Sequence, residues 1–265
     1  MIANKIKRLI KNKDLLKEFI VRDLKSRYVG STIGFFWSVI NPLITLVIYT
    51  FLFSVILKVK LSDESGVTNF ALYLFCGMLP WIAFQDTVQR STTCIVDHSK
   101  LIKKLVFPAK ILPLYIAVSS LISEFIGIMI LISAIILILH FVSPYILFMP
   151  LIFFFQLLFT LGISFFFAAL NVFLRDISPI SGVLLTVWLY ITPIFYPYTI
   201  VPDRYKGIYM LNPMAHLVNI YRDIFLNNKM FSISGLLYFS LVSILIFIGG
   251  YVFFTKFHKK FVDLL

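Results

Sequence analysis

The feature that most constrains this chain is a succession of long apolar runs, at residues 33–57, 70–89, 111–141, 145–174 and 232–255, with a shorter sixth at 179–196. About 20 helical residues, each rising about 1.5 Å, cross a hydrocarbon core of about 30 Å. Lipid offers no partner to backbone N–H or C=O groups, so a crossing segment must close its hydrogen bonds within itself, as a helix does. The expected fold is therefore all-α, a polytopic membrane protein with six transmembrane helices. Composition agrees, since 60% of the 265 residues are hydrophobic and only 14% are charged, against about 25% charged in soluble domains.

The net charge of +12 does not point to nucleic acid, because the excess sits in short segments between the apolar runs, which is the pattern of membrane topology. Nine Lys and Arg precede residue 33, five lie in 90–110, one is Arg175 and three follow Thr255, whereas two lie in 58–69 and four in 198–229. Eighteen on one side against six on the other places both termini in the cytoplasm, as expected of a multi-pass protein of the bacterial inner membrane. The basic N-terminus leads into an apolar run longer than a signal-peptide core, so no cleavable signal is expected. Cys76 and Cys94, separated by a helical run, lie roughly 27 Å apart if they share one helix, too far to pair. Both read as packing residues.

The polar segments have structure of their own. Within 1–32, Leu16, Phe19, Ile20, Leu24 and Tyr28 recur at helical spacing with Asp14 placed to cap them, an amphipathic helix suited to a membrane surface. Residues 202–229 are too polar for an ordinary span and too patterned for a loop. Asn212 followed by Pro213 is a strong helix start, and Met214, Leu217, Val218, Tyr221 and Phe225 share a face beyond it. Two short external helices, 202–210 and 213–226, are expected to re-enter the membrane from outside, with 256–265 forming a cytoplasmic tail.

Catalytic chemistry is sparse. The eleven glycines include no G-x-x-x-x-G-K-[ST] phosphate loop, and no metal-ligand spacing or activated nucleophile stands out. The chain is expected not to be an enzyme and to hold no cofactor or metal of its own, so any ATP and Mg that drive it are expected to be bound by another chain. His98, His140, His216 and His258 fall at predicted membrane edges and read as structural. Glu124 is the one acid near the middle of a predicted span, and it can serve as a relay, face a polar pore, or pair with a neighbour such as Arg175. Asp86 and Arg90 form an i,i+4 ion pair on a helix surface.

Two regions carry function beyond topology. Residues 97–107, with Asp97, Ser99, Lys100, Lys103, Lys104 and Phe107, are short, basic and partly apolar. They read either as an inner loop obeying the charge rule or as a small helix that inserts into a cytoplasmic partner. Six of the thirteen tyrosines fall between Tyr190 and Tyr221. Trp188, Tyr190, Phe195, Tyr196, Tyr198, Tyr205 and Tyr209 form either an interfacial aromatic belt or the wall of an exit path for sugars, whose C–H faces pack on rings.

The chain resembles the ABC transporter permeases that export O-antigen, teichoic acid and capsular polysaccharide. The resemblance rests on Arg22-Asp23-Leu24-Lys25-Ser26-Arg27-Tyr28, Gly30-Ser31, Gly34-Phe35-Phe36-Trp37-Ser38-Val39-Ile40-Asn41-Pro42, Gly77-Met78-Leu79-Pro80-Trp81, residues 101–108, Asn171-Val172-Phe173-Leu174-Arg175-Asp176-Ile177, Thr192-Pro193-Ile194-Phe195-Tyr196-Pro197, Leu211-Asn212-Pro213 and Tyr221-Arg222-Asp223. It implies a homodimer of six-span subunits, each bound to a separate ATPase, exporting a polyprenyl-diphosphate-linked glycan. It also implies that residues 14–28 and 97–107 contact the ATPase. A pore at the two-fold interface is the economical route for a polymer, with the first and fifth spans as its wall. Trp37, Asn41, Thr45 and Tyr49 share a face of the first. Arg22, Lys25 and Arg27 lie where the lipid diphosphate approaches, and equally where anionic headgroups attract them. An exporter of drugs or small lipids on the same fold is the alternative.

Overall fold

The computed structural model describes residues 2–26, 70–104, 107–198 and 201–265, together with positions 40, 44, 47, 48, 51, 52 and 56. The regular structure among the described residues is all helical, with no strand. The helices are α1 (Ile2–Ser26), α2 (Phe70–Asp97), α3 (Ser99–Lys104), α4 (Ile111–Leu139), α5 (Met149–Phe173), α6 (Ile177–Ile191), α7 (Lys206–Met210), α8 (Pro213–Phe225), α9 (Ile233–Phe257) and α10 (Phe261–Leu264). Among the described residues four segments are long and apolar enough to cross a bilayer: α2, α4, α9 and the continuous Pro144–Phe173, in which a 3-10 turn leads into α5. Helix α6 is apolar but has only 15 residues, about 22 Å at the helical rise. The expected first span, 33–57, falls outside the described residues except at isolated positions, of which Ile40, Ile44, Val47 and Ile48 are helical.

The three most hydrophobic of these segments are the least buried. Helix α2 is the least hydrophobic of the four, with mean hydropathy 1.2, yet 83% of its apolar window is buried. The far greasier α4 and α9 are only 28% and 17% buried. The interior packs Trp81, Phe75, Phe84 and Phe159 around a smaller set of buried polar groups such as Thr87, Glu124 and Gln156, while many bulky aliphatics of α4 and α9 face outward where lipid solvates them. Inside α2, Thr87 and Thr92 return their hydroxyls to the carbonyls of Ala83 and Val88 at 2.7 and 2.8 Å. On α9, Leu237, Leu241, Leu245, Ile248 and Val252 form the exposed stripe. Its opposite face presents Gly235, Phe239, Ser243, Gly250 and Phe254 to the interior.

Helices α5 and α9 approach closely enough that no side chain fits between them. A Cβ on Gly162 would meet the backbone of Ile246 and Phe247, and one on Gly250 would run into the Gly162 carbonyl. Small residues that let backbones touch are the usual device for helix pairing in lipid, where hydrophobicity does not drive association.

The expected boundaries need five corrections. Helix α1 starts at Ile2, so Asp14 lies inside it and caps nothing; residues 2–26 contain no Gly or Pro to interrupt a run of good helix formers. Helix α2 runs past residue 89 to Asp97, because Arg90 finds partners and the hydroxyls bond within the helix. Helix α4 stops at Leu139, where His140 takes a left-handed C-cap conformation (φ 58°). Helix α6 ends at Ile191 rather than 196, since Pro193 forces Thr192 into extended geometry (φ −82°, ψ 137°). The expected external helix 202–210 is a 3-10 turn, Asp203–Tyr205, followed by one turn of α-helix. The Asn212-Pro213 start is as expected: the Asn212 side chain accepts from Met214 N at 3.1 Å, with proline in the first turn.

Candidate functional site

The residues singled out by the sequence gather at the two ends of the bundle. At the α1 end, α1 packs on α4, and Phe19 joins the two segments expected to meet a partner. Its ring lies 5.8 Å from Phe107 in edge contact, 5.2 Å from Tyr115 and 6.3 Å from His98. Asp23 is buried (8% exposed) and ion-paired to Arg90, which also reaches Asp86 at 3.4 Å. The expected Asp86–Arg90 surface pair is thus one limb of a three-residue link fastening α1 to α2. Ser120 of α4 completes it, donating to Asp86 at 2.6 Å. Asp97, Lys100 and Lys103 are exposed, Ser99 opens α3, and Lys104 closes it. Arg22 and Lys25 are exposed, and a cleft of about 490 Å³ runs between Arg22, Ser26, His98 and Tyr115. The C-terminal turn joins the same apolar cluster through Phe261. Arg27, Trp37, Asn41, Thr45 and Tyr49 lie outside the described residues.

At the α8 end, two consecutive residues hold α8 in opposite directions. The Tyr221 hydroxyl donates to Glu124 of α4 at 2.6 Å and lies 2.8 Å from Gln156 Oε1 of α5, while Gln156 Nε2 donates to Glu124 at 2.7 Å. All three are buried. Glu124 therefore neither faces an open pore nor pairs with Arg175, which is exposed in the turn after α5. The carboxylate is met where two hydrogen-bond donors converge, as a buried acid must be. Arg222, 4% exposed, turns the other way: its guanidinium donates to the carbonyls of Pro193 and Ile194 at 2.6 and 2.8 Å and lies 3.5 Å from the centre of the Tyr73 ring. Gly77 makes room for it, since a Cβ there would come within 2.9 Å of the guanidinium.

The tyrosines do cluster. Tyr190 stacks on Phe195 at 5.8 Å, Tyr196 donates to the Tyr190 carbonyl at 2.9 Å, and Tyr209 stands edge-on to Tyr196 and Tyr198 at 6.4 and 5.2 Å. Tyr205 is exposed beside them. Tyr190, Tyr196, Tyr205 and Tyr209 wall a groove of about 460 Å³. Trp188 stands apart from this group, because its indole donates to Asn212 at 3.0 Å and packs against Trp81, Phe84 and Phe159 in the core. Nearby, Lys206 pairs with Asp203; hydrogen bond and charge together hold the Asp203 carboxyl below its ordinary range and raise Lys206.

Tyr73, Gln156, Tyr221 and Arg222 were not singled out as site residues by the sequence. For Gln156 a signal was present: it follows Glu124 by 32 residues, so the two lie at similar depth on either side of the turn that joins α4 to α5. Among the described residues no group of three or more His, Cys, Asp or Glu is placed to hold a metal ion.

Comparison with known proteins gives this arrangement its context. The chain is 29% identical to the O-antigen export system permease protein RfbA of Myxococcus xanthus, covering 97% of this chain and 98% of the relative. An O-antigen export system permease protein RfbA of Klebsiella pneumoniae is 31% identical over 95% of each chain. The polysialic acid transport protein KpsM of Escherichia coli is 22% identical over 78% of this chain and 80% of its own length. The model of the ABC-2 type transporter family matches residues 14–226, which reach from the Phe19 and Asp23 contacts of α1 to the clamp on α8, and the chain belongs to that family.

Proposed function

We propose that this chain is the membrane-embedded permease subunit of an ATP-driven exporter of polysaccharide, with a lipid-linked glycan of the O-antigen kind as cargo. The observation that carries the reading is the likeness to export permeases along nearly the whole chain, 29% and 31% identical over at least 95% of each partner. Six spans, cytoplasmic termini, a location in the inner membrane and a homodimeric pore complete the proposal, with one ATPase bound to each subunit.

The coupling route in this proposal rests on contacts at the two ends of α2. A cytoplasmic ATPase has two adjacent handles in α1 and the 97–107 segment, joined by the Phe19–Phe107 contact and by the link from Asp23 to Arg90. Arg90 lies on α2, the central helix, and the same helix carries Tyr73 and Gly77 against Arg222 of α8. Force applied at one end passes, in this reading, along α2, across its Pro80, to α8, whose Arg222 holds the Pro193 and Ile194 carbonyls next to the tyrosine cluster. In this reading Arg22, Lys25 and Arg27 receive the diphosphate head. Trp37, Asn41, Thr45, Tyr49, Tyr190, Phe195, Tyr196 and Tyr198 line the glycan path, and Trp188 supports that wall from behind.

Deleting the gene tests the function: surface polysaccharide is lost and lipid-linked glycan accumulates inside the cell. Normal surface glycan in the deletion strain, with altered tolerance to drugs instead, overturns it in favour of a small-molecule exporter. Charge reversal at Lys103 and Lys104 tests the coupling route. ATP hydrolysis then proceeds without export, and unchanged export together with unchanged ATPase binding refutes the role.

A further inference from the structure

Helix α3 has six residues, and isolated helices shorter than about 12 residues are marginal in water. Its setting therefore comes from what it packs against. Ile102 is buried, at 7% exposed, whereas Lys100 and Lys103 are exposed. One support is α10. After α9 the chain passes through a 3-10 turn, His258–Lys260, into α10, which packs on α3 and on α5. Phe261, the first residue of α10, is fully buried in the same apolar cluster as Ile102. Its ring stands edge-on to Phe254 of α9 at 5.3 Å, and Phe254 lies 5.1 Å from Phe165 of α5. A four-residue turn is also too short to fold alone, so burial of this ring is what fastens α10 in place.

A short helix that receives a push moves the bundle only if it is held from its inner side; otherwise it yields and the work is lost. Close-packed interiors transmit strain, and the rings of Phe261, Phe254 and Phe165 join the cluster around Ile102 to α9 and α5, the two helices whose backbones meet at Gly162 and Gly250. The ion pair of Asp23 with Arg90 ties α1 to α2 instead, so the two handles at this end have separate anchors. We propose that Phe261 is a positioning residue for energy coupling: wedged between α3 and α9, it backs the 97–107 segment so that a push from the ATPase reaches the α5–α9 pair. The inference rests on the reading of the chain as an ATP-driven exporter, and it gives the turn after α9 a part in that cycle.

The test compares Phe261→Ala, Phe261→Leu and Leu264→Ala in cells making their own surface glycan and in the intact permease co-purified with its ATPase. Leu264 lies on the same turn but is 47% exposed. In Phe261→Ala, surface glycan per assembled complex should fall about fivefold while ATP hydrolysis stays within about twofold of wild type. Phe261→Leu, which refills most of the space, should recover most of the export, and Leu264→Ala should match wild type. Cys94, 2% exposed in the same cluster, reports the local packing: a maleimide should label it faster in Phe261→Ala, with Cys76, 0% exposed in the other cluster, as internal control. If Phe261→Ala fails to assemble, Phe261→Val carries the same comparison with a smaller loss. Unchanged export per complex overturns the positioning role, as does a loss of export matched by an equal loss of hydrolysis or unaccompanied by faster labelling of Cys94. A loss in Leu264→Ala as large as in Phe261→Ala also overturns it, by setting the turn against the ATPase itself. Normal surface glycan in the deletion strain sinks the exporter reading instead.

Discussion

Tyr221 and Glu124 meet through a 2.6 Å hydrogen bond deep in the bundle, joining α8 to α4 with Gln156 of α5 as the third member. In Tyr221→Phe, Glu124 loses one of its two donors while the ring still fills its space. The variant should be less stable by about 1–2 kcal/mol, read as a lower melting temperature of the detergent-solubilised protein. Glu124→Gln should cost less, because an amide oxygen still accepts from Tyr221. Equal melting of Tyr221→Phe and wild type would falsify an energetic role for the contact.

The α5–α9 contact gives a test with its own control. Gly162→Ala and Gly250→Ala each place a Cβ against backbone of the facing helix, where neither side can retreat. Each should destabilise by about 1–3 kcal/mol and lower the yield of folded protein. Gly249→Ala, one residue from Gly250, meets nothing within 4 Å and should be neutral or slightly stabilising. If the neighbouring pair behave alike in a thermal melt, the close approach is not what holds these helices.

The Asp23–Arg90 pair fastens α1 to the bundle. Asp23→Asn and Arg90→Gln should each weaken that docking by about 1–2 kcal/mol, measured as faster proteolysis within residues 2–26. The exchange Asp23→Arg with Arg90→Asp should recover part of the protection. Recovery that fails while Asp86→Asn alone gives the same proteolysis would place the effect in the Asp86 limb.

Asp203 and Lys206 form a pair at the exposed start of α7, and its pH dependence has a definite sign. The lowered carboxyl of Asp203 contributes above the ordinary carboxylate range and stops contributing as pH falls through its folded value. The raised Lys206 contributes below the ordinary lysine range and stops as pH rises through its own. The pair therefore acts across the neutral window. In Lys206→Gln the Asp203 titration, followed by carboxyl chemical shift, should move back up to the ordinary range with no measurable loss of stability. A midpoint that does not move rules out Lys206 as the cause.

Much of this architecture was legible because lipid imposes simple demands. Long runs without charge had to be helices, and Asn212-Pro213 had to start one. The polar contacts were harder to read, since partners such as Glu124 and Tyr221, 97 residues apart, are set by how helices pack and not by local spacing. Arg222 was misleading in isolation: its charge counted toward topology, while its guanidinium spends its hydrogen bonds on two carbonyls released where Pro193 ends α6. Trp188 was grouped with the tyrosines by proximity in sequence, but helical rotation turns it to the opposite side.

The burial of α2 bears on how the chain is made. A segment with mean hydropathy of 1.2 and Asp86 and Arg90 along its length gains little by partitioning alone into hydrocarbon. Its polar groups find their partners on α1, α4 and α8, and the last of these emerges from the ribosome more than a hundred residues later. The central helix is thus the one least able to insert by itself, and its residence in the membrane during synthesis depends on helices not yet translated. In chains truncated before α4, α2 should accordingly fail to hold its place across the bilayer even with the expected span 33–57 present, which makes biogenesis of this permease a collective event and not a sequence of independent insertions.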